Sequence, residues 1–424
     1  MKFKIVTHGC QMNEYESGKI RDFFISIGFE EAIGIEDADF IYFNSCAVRE
    51  KSEDKLMSAV GLVRSNFKKR GQPFSIVSGC VATISEKRIR RVGQDSVKLI
   101  IKGTEDLTEK EEKLKEFFKV LSFDEGVFAK QSLTSVYAYV PVIFGCDSFC
   151  SYCIVPTARG REKSRAISEI VSEVKSLLET GTKEIILLGQ NINHYGKDLG
   201  LENGFIEILE SVDKLKGLER LRFMTSHPAD FNIDTLDRMK KLEHIMPHFH
   251  LPVQSGNNRI LELMKRDYTR EYYLRLIEEV KKRFKEASIT TDIIVGFPTE
   301  TDEEYLDTEE LVQEIQFDKS FIAAFSKRGS TPAALMNGQI EETVKKERHR
   351  RLLTIQNDIT RKINRSSIGK TAEVIVENSK EGKFFGRTPQ DKLVIAEGSA
   401  NVSDTVKVQI YDADENHLKG KLTE

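Results

Sequence analysis

Short apolar runs alternate with amphipathic stretches over the first 120 residues of the chain. Three of the runs, "KFKIVTHGC", "DADFIYFNSC" and "FSIVSGC", predict strands that each end just before a cysteine. Helical spacing of apolar positions recurs over 13–28 and 51–71, and again over 107–121, which predicts a closing helix. Strands that alternate with helices indicate a parallel sheet with right-handed crossovers, so we expect an N-terminal parallel α/β domain.

A second alternating series starts near Tyr137. Amphipathic segments such as 165–180 and 269–286 predict helices between six apolar strands. The strands are predicted at 138–144, 184–188, 219–224, 247–251, 289–295 and 319–325. Six β/α units predict an open or partial (β/α)6 barrel, with its chemistry at the carboxyl ends of the strands.

The pattern changes again near Gly369. A charged helical stretch, 341–365, leads into short β-type runs that are separated by turn residues. These runs predict a small all-β barrel of about five antiparallel strands, a class of fold that often binds oligonucleotides. We therefore expect three domains, at 1–121, 132–365 and 366–424.

Composition and charge narrow the class of protein. The net charge of −3 excludes a polycation, so any contact with nucleic acid must come from local basic patches. No apolar run reaches the roughly 18 residues of a transmembrane helix, and the N-terminus lacks the features of a signal peptide. We expect a cytoplasmic protein with no membrane partner, in which clustered cysteines indicate metal binding or catalysis rather than disulfides.

Half of the six cysteines lie in the stretch "GCDSFCSYCIVP", at Cys146, Cys150 and Cys153. Structural zinc needs four ligands, and no histidine lies nearby in the chain. In a [4Fe–4S] cluster, three cysteines leave one iron open, where S-adenosylmethionine can bind and be cleaved to a radical. The bare spacing also permits zinc, but the loop follows the first predicted barrel strand, carries the aromatic Tyr152 and precedes the β/α units.

The other three cysteines, Cys10, Cys46 and Cys80, each follow the end of a predicted parallel strand. Ligands bind beyond the carboxyl ends of such strands, so we expect the three thiols to converge. Separate buried cysteines, or a zinc site completed by a histidine such as His8, are the alternatives. We predict a second cluster with one open iron.

Several further motifs accompany the two cysteine sets. They are "THGCQMNEYES" (7–17), "NSCAVREKSEDK" (44–55), "GCVA" (79–82), "LLGQNIN" (187–193), "TSHP" (225–228), "HLPVQSG" (250–256) and "DIIVGFPTET" (292–301). The C-x3-C-x2-C loop resembles that of the radical S-adenosylmethionine (radical SAM) superfamily. Together with it, the motifs resemble the methylthiotransferase family over nearly the whole chain, and the C-terminal barrel resembles that family's TRAM domain.

The resemblance implies an enzyme with two [4Fe–4S] clusters and S-adenosylmethionine. One S-adenosylmethionine would methylate a sulfur held at the cluster of Cys10, Cys46 and Cys80, and a second would be cleaved to a radical at the other cluster. The motifs "GCQMNEYES" and "NSCAVREK" resemble the branch that adds a methylthio group to C2 of N6-isopentenyladenosine at position 37 of tRNA, next to the anticodon.

The implied partners are the tRNA anticodon stem-loop, an electron donor of the flavodoxin or ferredoxin type, and a sulfur donor, with the enzyme acting as a monomer. Related branches act on threonylcarbamoyl-adenosine in tRNA or on an aspartate of a ribosomal protein. Outside the family, a zinc-stabilised RNA-binding protein without catalysis would also explain the terminal barrel.

Polar and small residues near the predicted strand ends are candidates for binding the cofactor. They are Tyr152 in the cysteine loop, Gln190 and Asn191 after the second barrel strand, Ser226 after the third, Gln254 after the fourth and Gly296 after the fifth. Glycine would allow the backbone to approach the adenine closely. Ordinary polar turns are the alternative at each position.

Four basic residues are candidates for contact with RNA. Arg159 and Arg161 lie just past the cysteine loop, and Arg387 and Lys392 flank "TPQD" on a predicted hairpin of the terminal barrel. The planar guanidinium of arginine suits phosphate recognition, and a solvated turn is the alternative.

Overall fold

The computed structural model describes residues 1–48, 50–119, 135–329 and 331–423. Its residues form two compact units. The first contains the described residues up to 119 together with 144–149 and 153–163, and the second contains 135–143, 150–152 and the residues from 164 onward. The domain boundaries expected at 121 and 132, and the last residues of the helix predicted over 107–121, lie outside the described residues.

The first unit is built on a five-stranded parallel sheet in the order β2-β1-β3-β4-β5. Its strands are β1 (Lys2–His8), β2 (Glu30–Glu31), β3 (Phe40–Ser45), β4 (Phe74–Gly79) and β5 (Val97–Lys102). Its helices are α1 (Gln11–Ser26), α2 (Glu50–Arg70), α3 (Cys80–Ile84), α4 (Glu86–Gly93) and α5 (Leu107–Phe118). The predicted α/β architecture is confirmed.

Alternate residues of strand β3 enter two separate hydrophobic clusters. Phe40 and Tyr42 belong to one cluster, and Ile41 and Phe43 belong to the other. All four side chains are almost fully buried. Burial of both faces is typical of a parallel sheet with helices on each side, and it explains the continuous apolar runs of the sequence.

The remaining strands before the terminal barrel are β6 (Tyr137–Pro141), β7 (Ile143–Phe144), β8 (Lys163–Ser164), β9 (Glu184–Leu188), β10 (Arg220–Met224), β11 (His248–His250), β12 (Ser288–Val295) and β13 (Lys319–Ala324). The remaining helices are α6 (Val155–Arg159), α7 (Ile167–Glu179), α8 (Gly204–Asp213), α9 (Ile233–Met239), α10 (Asn258–Leu263), α11 (Arg270–Arg283), α12 (Asp302–Ile315), α13 (Pro332–Leu335) and α14 (Glu342–Arg365).

Six of these strands form two parallel three-stranded sheets, β6-β9-β10 and β11-β12-β13, which follow chain order. A parallel bridge between Leu221 and Ile245 continues the series from one sheet to the next. The predicted partial (β/α)6 barrel is therefore confirmed. The strand predicted over 138–144 is interrupted after Pro141, which has no N–H to donate to a sheet.

The C-terminal residues form a closed barrel in the order β14-β15-β16-β18-β17. Its strands are β14 (Thr371–Lys380), β15 (Lys383–Arg387), β16 (Leu393–Glu397), β17 (Thr405–Ala413) and β18 (Leu418–Leu422). Buried side chains such as Val374, Val376 and Phe384 fill its interior. Within the part of the chain that the structure describes, no helix is both long and apolar enough to cross a membrane.

Candidate metal centres and cofactor site

Cys10, Cys46 and Cys80 lie at one edge of the parallel sheet of the first unit. The register of the strands pairs His8 with Ser45 and Asn44 with Ser78, so the chain leaves β1, β3 and β4 side by side. The Cys46 thiol interacts electrostatically with both other thiols, so the three lie close together, and all three cysteines are free. The structure thus brings together the three residues that the strand pattern predicted to converge.

The electrostatic surroundings favour the thiolate form of two of these cysteines. The pKa of Cys10 and that of Cys80 are each lowered to about 6, mainly because the neighbouring Cys46 thiol can share its hydrogen with either sulfur and also because Arg159 is nearby. The same interaction with the Cys10 and Cys80 sulfurs raises the pKa of Cys46 itself. Since the thiolate is the form that binds metal, the set has the right chemistry for metal ligands.

A buried amide pair positions the first two cysteines. Asn13 Nδ2 donates to Asn44 Oδ1 at 2.8 Å, and Asn44 Nδ2 donates to the Asn13 carbonyl at 3.0 Å. Asn13 Oδ1 also accepts from the Cys10 N–H at 3.3 Å.

Gly79 has a φ of +91°, and a Cβ there would lie 2.4 Å from Asn44 Oδ1, so only glycine fits directly before Cys80.

A buried ionic group lies beside the same thiols. Glu16 Oε1 accepts from Arg159 Nη1 at 2.7 Å, and Glu16 Oε2 lies 3.2 Å from Lys110 Nζ. Burial raises the pKa of Glu16, but the two cations more than offset it and lower the pKa to about 2. Sequence reasoning missed Glu16 and Lys110, although "GCQMNEYES" contains the former.

The second cysteine set is divided between the two compact units. Cys146 and Cys153 belong to the first unit, and Cys150 belongs to the second. The Cys146 N–H donates to the Gly160 carbonyl at 3.3 Å, and Cys153 Sγ accepts from the Val155 N–H at 3.5 Å. No disulfide joins the cysteines of either set.

Within the second unit, Arg266 contacts the Cys150 thiol. Its Nη1 donates to Cys150 Sγ at 3.4 Å, its Nη2 to the Pro252 carbonyl at 2.9 Å and its Nε to Tyr268 Oη at 3.1 Å. The residue is 8% exposed and, among the described residues, has no carboxylate partner. Sequence reasoning missed it because nothing in "MKRDY" shows that this arginine is buried.

Asn191 and Ser226 lie at the carboxyl ends of β9 and β10. Asn191 Nδ2 donates to Asp230 Oδ2 at 2.8 Å, and its Oδ1 accepts from the His227 N–H at 3.3 Å, which ties the two loops together. Among the described residues, neither Ser226 Oγ nor His227 Nδ1 has a hydrogen-bond partner, and both are buried; His227 Nδ1 lies 3.6 Å from Asp230 Oδ2. Burial, and secondarily Arg266, lowers the pKa of His227 to about 3, so its ring is neutral near pH 7.

Gln254 is also buried near a strand end, and its backbone has a φ of +70°. Its N–H donates to the Asp292 carbonyl and its carbonyl accepts from the Ile294 N–H, both at 2.9 Å, which holds this sparsely populated conformation. Gln190 is half-buried, two residues after β9.

Tyr152 and Gly296 have apolar surroundings. Tyr152 packs against a cluster that includes Phe297 and Phe325. Gly296 has a φ of +71°, and a Cβ there would lie 2.2 Å from Lys345 Cγ. The space beside Gly296 is therefore filled by the Lys345 side chain, which gives the glycine a packing role.

Three family models match the chain. The model described as the radical SAM superfamily matches residues 140–312, that of the uncharacterized protein family UPF0004 matches 2–101, and that of the TRAM domain matches 365–423.

Curated relatives match over the full length. A tRNA-2-methylthio-N(6)-dimethylallyladenosine synthase of Pelotomaculum thermopropionicum is 40% identical over an alignment of 439 residues that covers 100% of this chain and 98% of that protein. The chain belongs to the family of tRNA-2-methylthio-N(6)-dimethylallyladenosine synthases. Another member, from Aquifex aeolicus, is 37% identical, with 100% of this chain and 99% of that protein covered. The predicted resemblance is confirmed.

Solved structures show the same fold at low identity. The radical S-adenosylmethionine methyltransferase TsrM from Kitasatospora setae, solved with cobalamin and a [4Fe–4S] cluster bound, aligns with a TM-score of 0.57 at 13% identity. The alignment covers 79% of this chain and 77% of that chain. At that identity, the likeness shows the fold alone.

Membership of the radical SAM superfamily implies a [4Fe–4S] cluster and S-adenosylmethionine, and the residues present fit both. No disulfide joins the thiols of the C-x3-C-x2-C loop, and Ser226 Oγ is a buried polar atom with no hydrogen-bond partner among the described residues, which a polar cofactor could satisfy. Among the described residues, no three His, Cys, Asp or Glu side chains are arranged to hold a single metal ion. A [4Fe–4S] cluster binds each thiolate through a different iron.

Two of the four RNA candidates, Arg159 and Lys392, are ion-paired and little exposed. Arg159 is 7% exposed and its guanidinium is ion-paired with Glu16. Lys392 Nζ lies 2.9 Å from Asp318 Oδ1 and donates to Asn364 Oδ1 at 3.0 Å, which fastens the terminal barrel to the preceding residues of its unit. A phosphate would have to compete with Glu16 for Arg159 and with Asp318 for Lys392.

The other two RNA candidates are more accessible. Arg161 is exposed and forms two hydrogen bonds with Asp147, at 2.7 and 2.9 Å. Arg387 is partly exposed, and its guanidinium lies 3.3 Å from Glu377 and 3.1 Å from Asp391. An RNA phosphate would have to compete with these carboxylates.

Proposed function

We propose that this protein is a radical SAM methylthiotransferase that adds a methylthio group to C2 of N6-isopentenyladenosine at position 37 of tRNA. The observation that carries the proposal is full-length identity of 40% to an enzyme of that name, in a chain whose six cysteines form two sets of three with no disulfide. The TRAM model over 365–423 supports an RNA substrate.

We assign one [4Fe–4S] cluster to Cys146, Cys150 and Cys153 and a second one to Cys10, Cys46 and Cys80. When bound, the first cluster would supply the electron that cleaves S-adenosylmethionine, and the second would carry the sulfur. Arg266 would hold Cys150 and neutralise part of the charge of the site. The convergent strand ends would hold the second set of thiols in a buried place, where water has little access.

The cofactor candidates have different kinds of support. Ser226 has an unsatisfied buried hydroxyl, and Gln254 is held in a strained backbone conformation of the sort that clusters at ligand sites. The side chain of Asn191 joins two loops by accepting from the His227 N–H, so we propose that Asn191 positions His227. Gln190, Tyr152 and Gly296 remain candidates from the sequence.

The proposal includes partners. The tRNA anticodon stem-loop is the substrate, a flavodoxin or ferredoxin supplies electrons and a separate donor supplies sulfur to a monomeric cytoplasmic enzyme. We keep 1–121, 132–365 and 366–424 as its domains, with Arg161 and Arg387 as RNA contacts.

Mass spectrometry of nucleosides tests the reaction. Reconstituted enzyme is incubated anaerobically with S-adenosylmethionine, reductant and tRNA that carries either isopentenyladenosine or threonylcarbamoyl-adenosine. We expect the methylthio product only on the isopentenyl substrate, and none with the Cys150→Ala variant. Product on threonylcarbamoyl-adenosine alone would assign the chain to the other tRNA branch, and no product on either substrate would contradict the proposal.

A further inference from the structure

Phe321 is an exposed aromatic residue in an unusual place. It lies in β13 and is 45% exposed. Among the described residues, it is the one large exposed apolar residue in a strand of the (β/α)6 barrel. A single exposed apolar residue on a helix surface is ordinary. An exposed aromatic residue in a barrel strand instead suggests a surface that a ligand covers.

The neighbours of Phe321 show which face of β13 it occupies. Ser320 Oγ donates to Gln356 Oε1 of α14 at 2.7 Å, so Ser320 points toward the covering helix. Because side chains alternate along a strand, Phe321 lies on the opposite, inner face of the barrel. Its register partner on β12 is Asp292, whose side chain is 41% exposed. The inner face is therefore open at this level.

Two neighbouring side chains hold the Phe321 ring. The ring of His250 meets it edge-on, with 5.9 Å between the centroids, and Lys319 Nζ lies 5.7 Å from the Phe321 centroid. His250 Nδ1 lies 3.0 Å from Thr290 Oγ1, and its Nε2 lies 3.4 Å from Asp292 Oδ2. The ring is thus a preformed apolar surface, which loses little conformational entropy when a ligand covers it.

The same inner face continues from Phe321 to the candidate cofactor site. The Asp292 carbonyl accepts from the Gln254 N–H at 2.9 Å. Ile294 lies two residues further along β12, on the same face as Asp292. Ile294 and Tyr152 of the cysteine loop pack against one hydrophobic cluster. An apolar surface in this position suits the part of a substrate that lies beside the reacting carbon.

We propose that Phe321 contacts the isopentenyl group of the substrate adenosine and is a specificity-determining residue. That group is a branched hydrocarbon chain, which an aromatic ring binds by burying apolar surface. A threonylcarbamoyl group carries a carboxylate and a hydroxyl instead, and these groups would lose water beside the ring without gaining a partner from it. This inference rests on the proposed function, because it takes isopentenyladenosine as the substrate.

Binding of paired RNA oligonucleotides tests the assignment. Anticodon stem-loops with either adenosine or N6-isopentenyladenosine at position 37 are titrated with reconstituted full-length protein, and fluorescence anisotropy gives the two dissociation constants. Their ratio isolates the isopentenyl contact, because all other contacts are common to both RNAs. The variants are Phe321→Ala, Phe321→Leu and Phe321→Gln. Leu306→Ala is the matched control, because Leu306 is 42% exposed on α12 of the same unit.

Phe321→Ala is expected to reduce the preference for the isopentenyl RNA about tenfold, because the apolar surface that the group covers is lost. Affinity for the unmodified RNA is expected to stay at the parental value. Phe321→Leu keeps an apolar surface and is expected to retain most of the preference, and Leu306→Ala is expected to match the parental protein.

An unchanged preference in Phe321→Ala would overturn the assignment. An equal loss of affinity for both RNAs would also overturn it, because Phe321 would then contact the RNA outside the isopentenyl group. If Phe321→Ala does not fold, Phe321→Gln decides, since it keeps a long side chain that is polar. Parental preference in Phe321→Gln would then overturn the assignment.

Nucleoside mass spectrometry separates this inference from the proposed function. Methylthio product from the parental protein, together with an unchanged preference in Phe321→Ala, would contradict the role of Phe321 and leave the proposed function in place. Absence of product from the parental protein would contradict the proposed function, and this inference with it.

Discussion

Buried guanidinium groups lie beside thiols of both cysteine sets, but their partners differ. Arg266 donates directly to Cys150 Sγ and has no carboxylate partner among the described residues, whereas Arg159 is held by Glu16. A buried cation close to a thiolate cluster stabilises the negative charge that the cluster gains on reduction. The two centres are therefore expected to respond differently to loss of their arginine.

Arg266→Gln is predicted to make the midpoint potential of the cluster at Cys146, Cys150 and Cys153 more negative. The variant loses a positive charge and the N–H···S hydrogen bond, both of which favour the reduced cluster. Redox titration followed by electron paramagnetic resonance measures the potential, with Arg259→Gln as a control because that exposed arginine pairs with Glu304. An unchanged or more positive potential in Arg266→Gln would show that Arg266 does not stabilise the reduced state.

Glu16 is predicted to make the stability of the cluster-free protein depend on acid pH. Its pKa is about 2 in the folded protein and 4.5 in the unfolded reference. Because the folded pKa is the lower one, the stabilisation is present above pH 4.5 and is lost as pH falls toward 2. The difference in pKa corresponds to about 3 kcal/mol of unfolding free energy at neutral pH.

Denaturant unfolding at a series of pH values checks this prediction. Glu16→Gln is expected to be less stable than the parent at neutral pH, and the gap is expected to shrink as pH falls below 4.5. Glu86→Gln is a control, since Glu86 forms a surface pair with Arg90. A gap between the parent and Glu16→Gln that stays constant down to the acid limit would rule out the assigned pKa.

The roles of single charged residues could not be predicted from the sequence. Arg159 and Arg161 both follow the cysteine loop, and the residue type suggested the same surface role for each. Arg161 is exposed, whereas Arg159 is buried and paired with Glu16. Because Glu16 lies 143 positions away in the chain, this pairing could not be predicted from the local sequence. Which element packs over a cation decides its role, and a local pattern contains no such information.

At the scale of secondary structure, the order and type of elements follow from the sequence. The predicted helix over 13–28 is observed as Gln11–Ser26, and the predicted strand over 184–188 is observed as Glu184–Leu188. Strand ends in a parallel sheet share one edge, so the positions of Cys10, Cys46 and Cys80 could be predicted as well. Buried apolar strands and amphipathic helices give strong periodic signals, which charged surface segments do not.

The attachment of the terminal barrel is an element-scale feature without a sequence signal. Arg222 is buried in β10, and it donates to the Thr388 carbonyl at 2.8 Å, to the Pro389 carbonyl at 2.7 Å and to Glu184 Oε1 at 2.5 Å. Arg220 adds a bond of 2.7 Å to the Arg387 carbonyl. The hairpin between β15 and β16 is thus fixed to the strands of the (β/α)6 barrel.

Arg222→Ala is predicted to loosen this hairpin. Removing one partner of a buried ion pair costs about 3–5 kcal/mol, and here two carbonyls also lose their donor. Hydrogen exchange measured by mass spectrometry is expected to show faster exchange across 387–392 in this variant. Arg238→Ala is the control: it removes a surface pair with Glu210 and is expected to leave the exchange of this segment unchanged. Equal protection of 387–392 in both variants would show that Arg222 does not hold the barrel.

At the scale of the whole molecule, one chain combines three matched regions and two sets of three cysteines. The regions match models of UPF0004, the radical SAM superfamily and the TRAM domain in that order. In the proposed assignment, each cysteine set supplies three thiolates to a [4Fe–4S] cluster and leaves one iron open for a cofactor or a sulfur. The proposed reaction depends on both sets being filled at once.

Iron and sulfide analysis of the anaerobically reconstituted full-length protein tests this claim most directly. The expected content is about eight irons and eight sulfides per chain. About four of each are expected when either Cys10, Cys46 and Cys80 or Cys146, Cys150 and Cys153 are replaced by alanine. Zinc in place of iron, or about four irons in the unmodified chain, would contradict the two-cluster account.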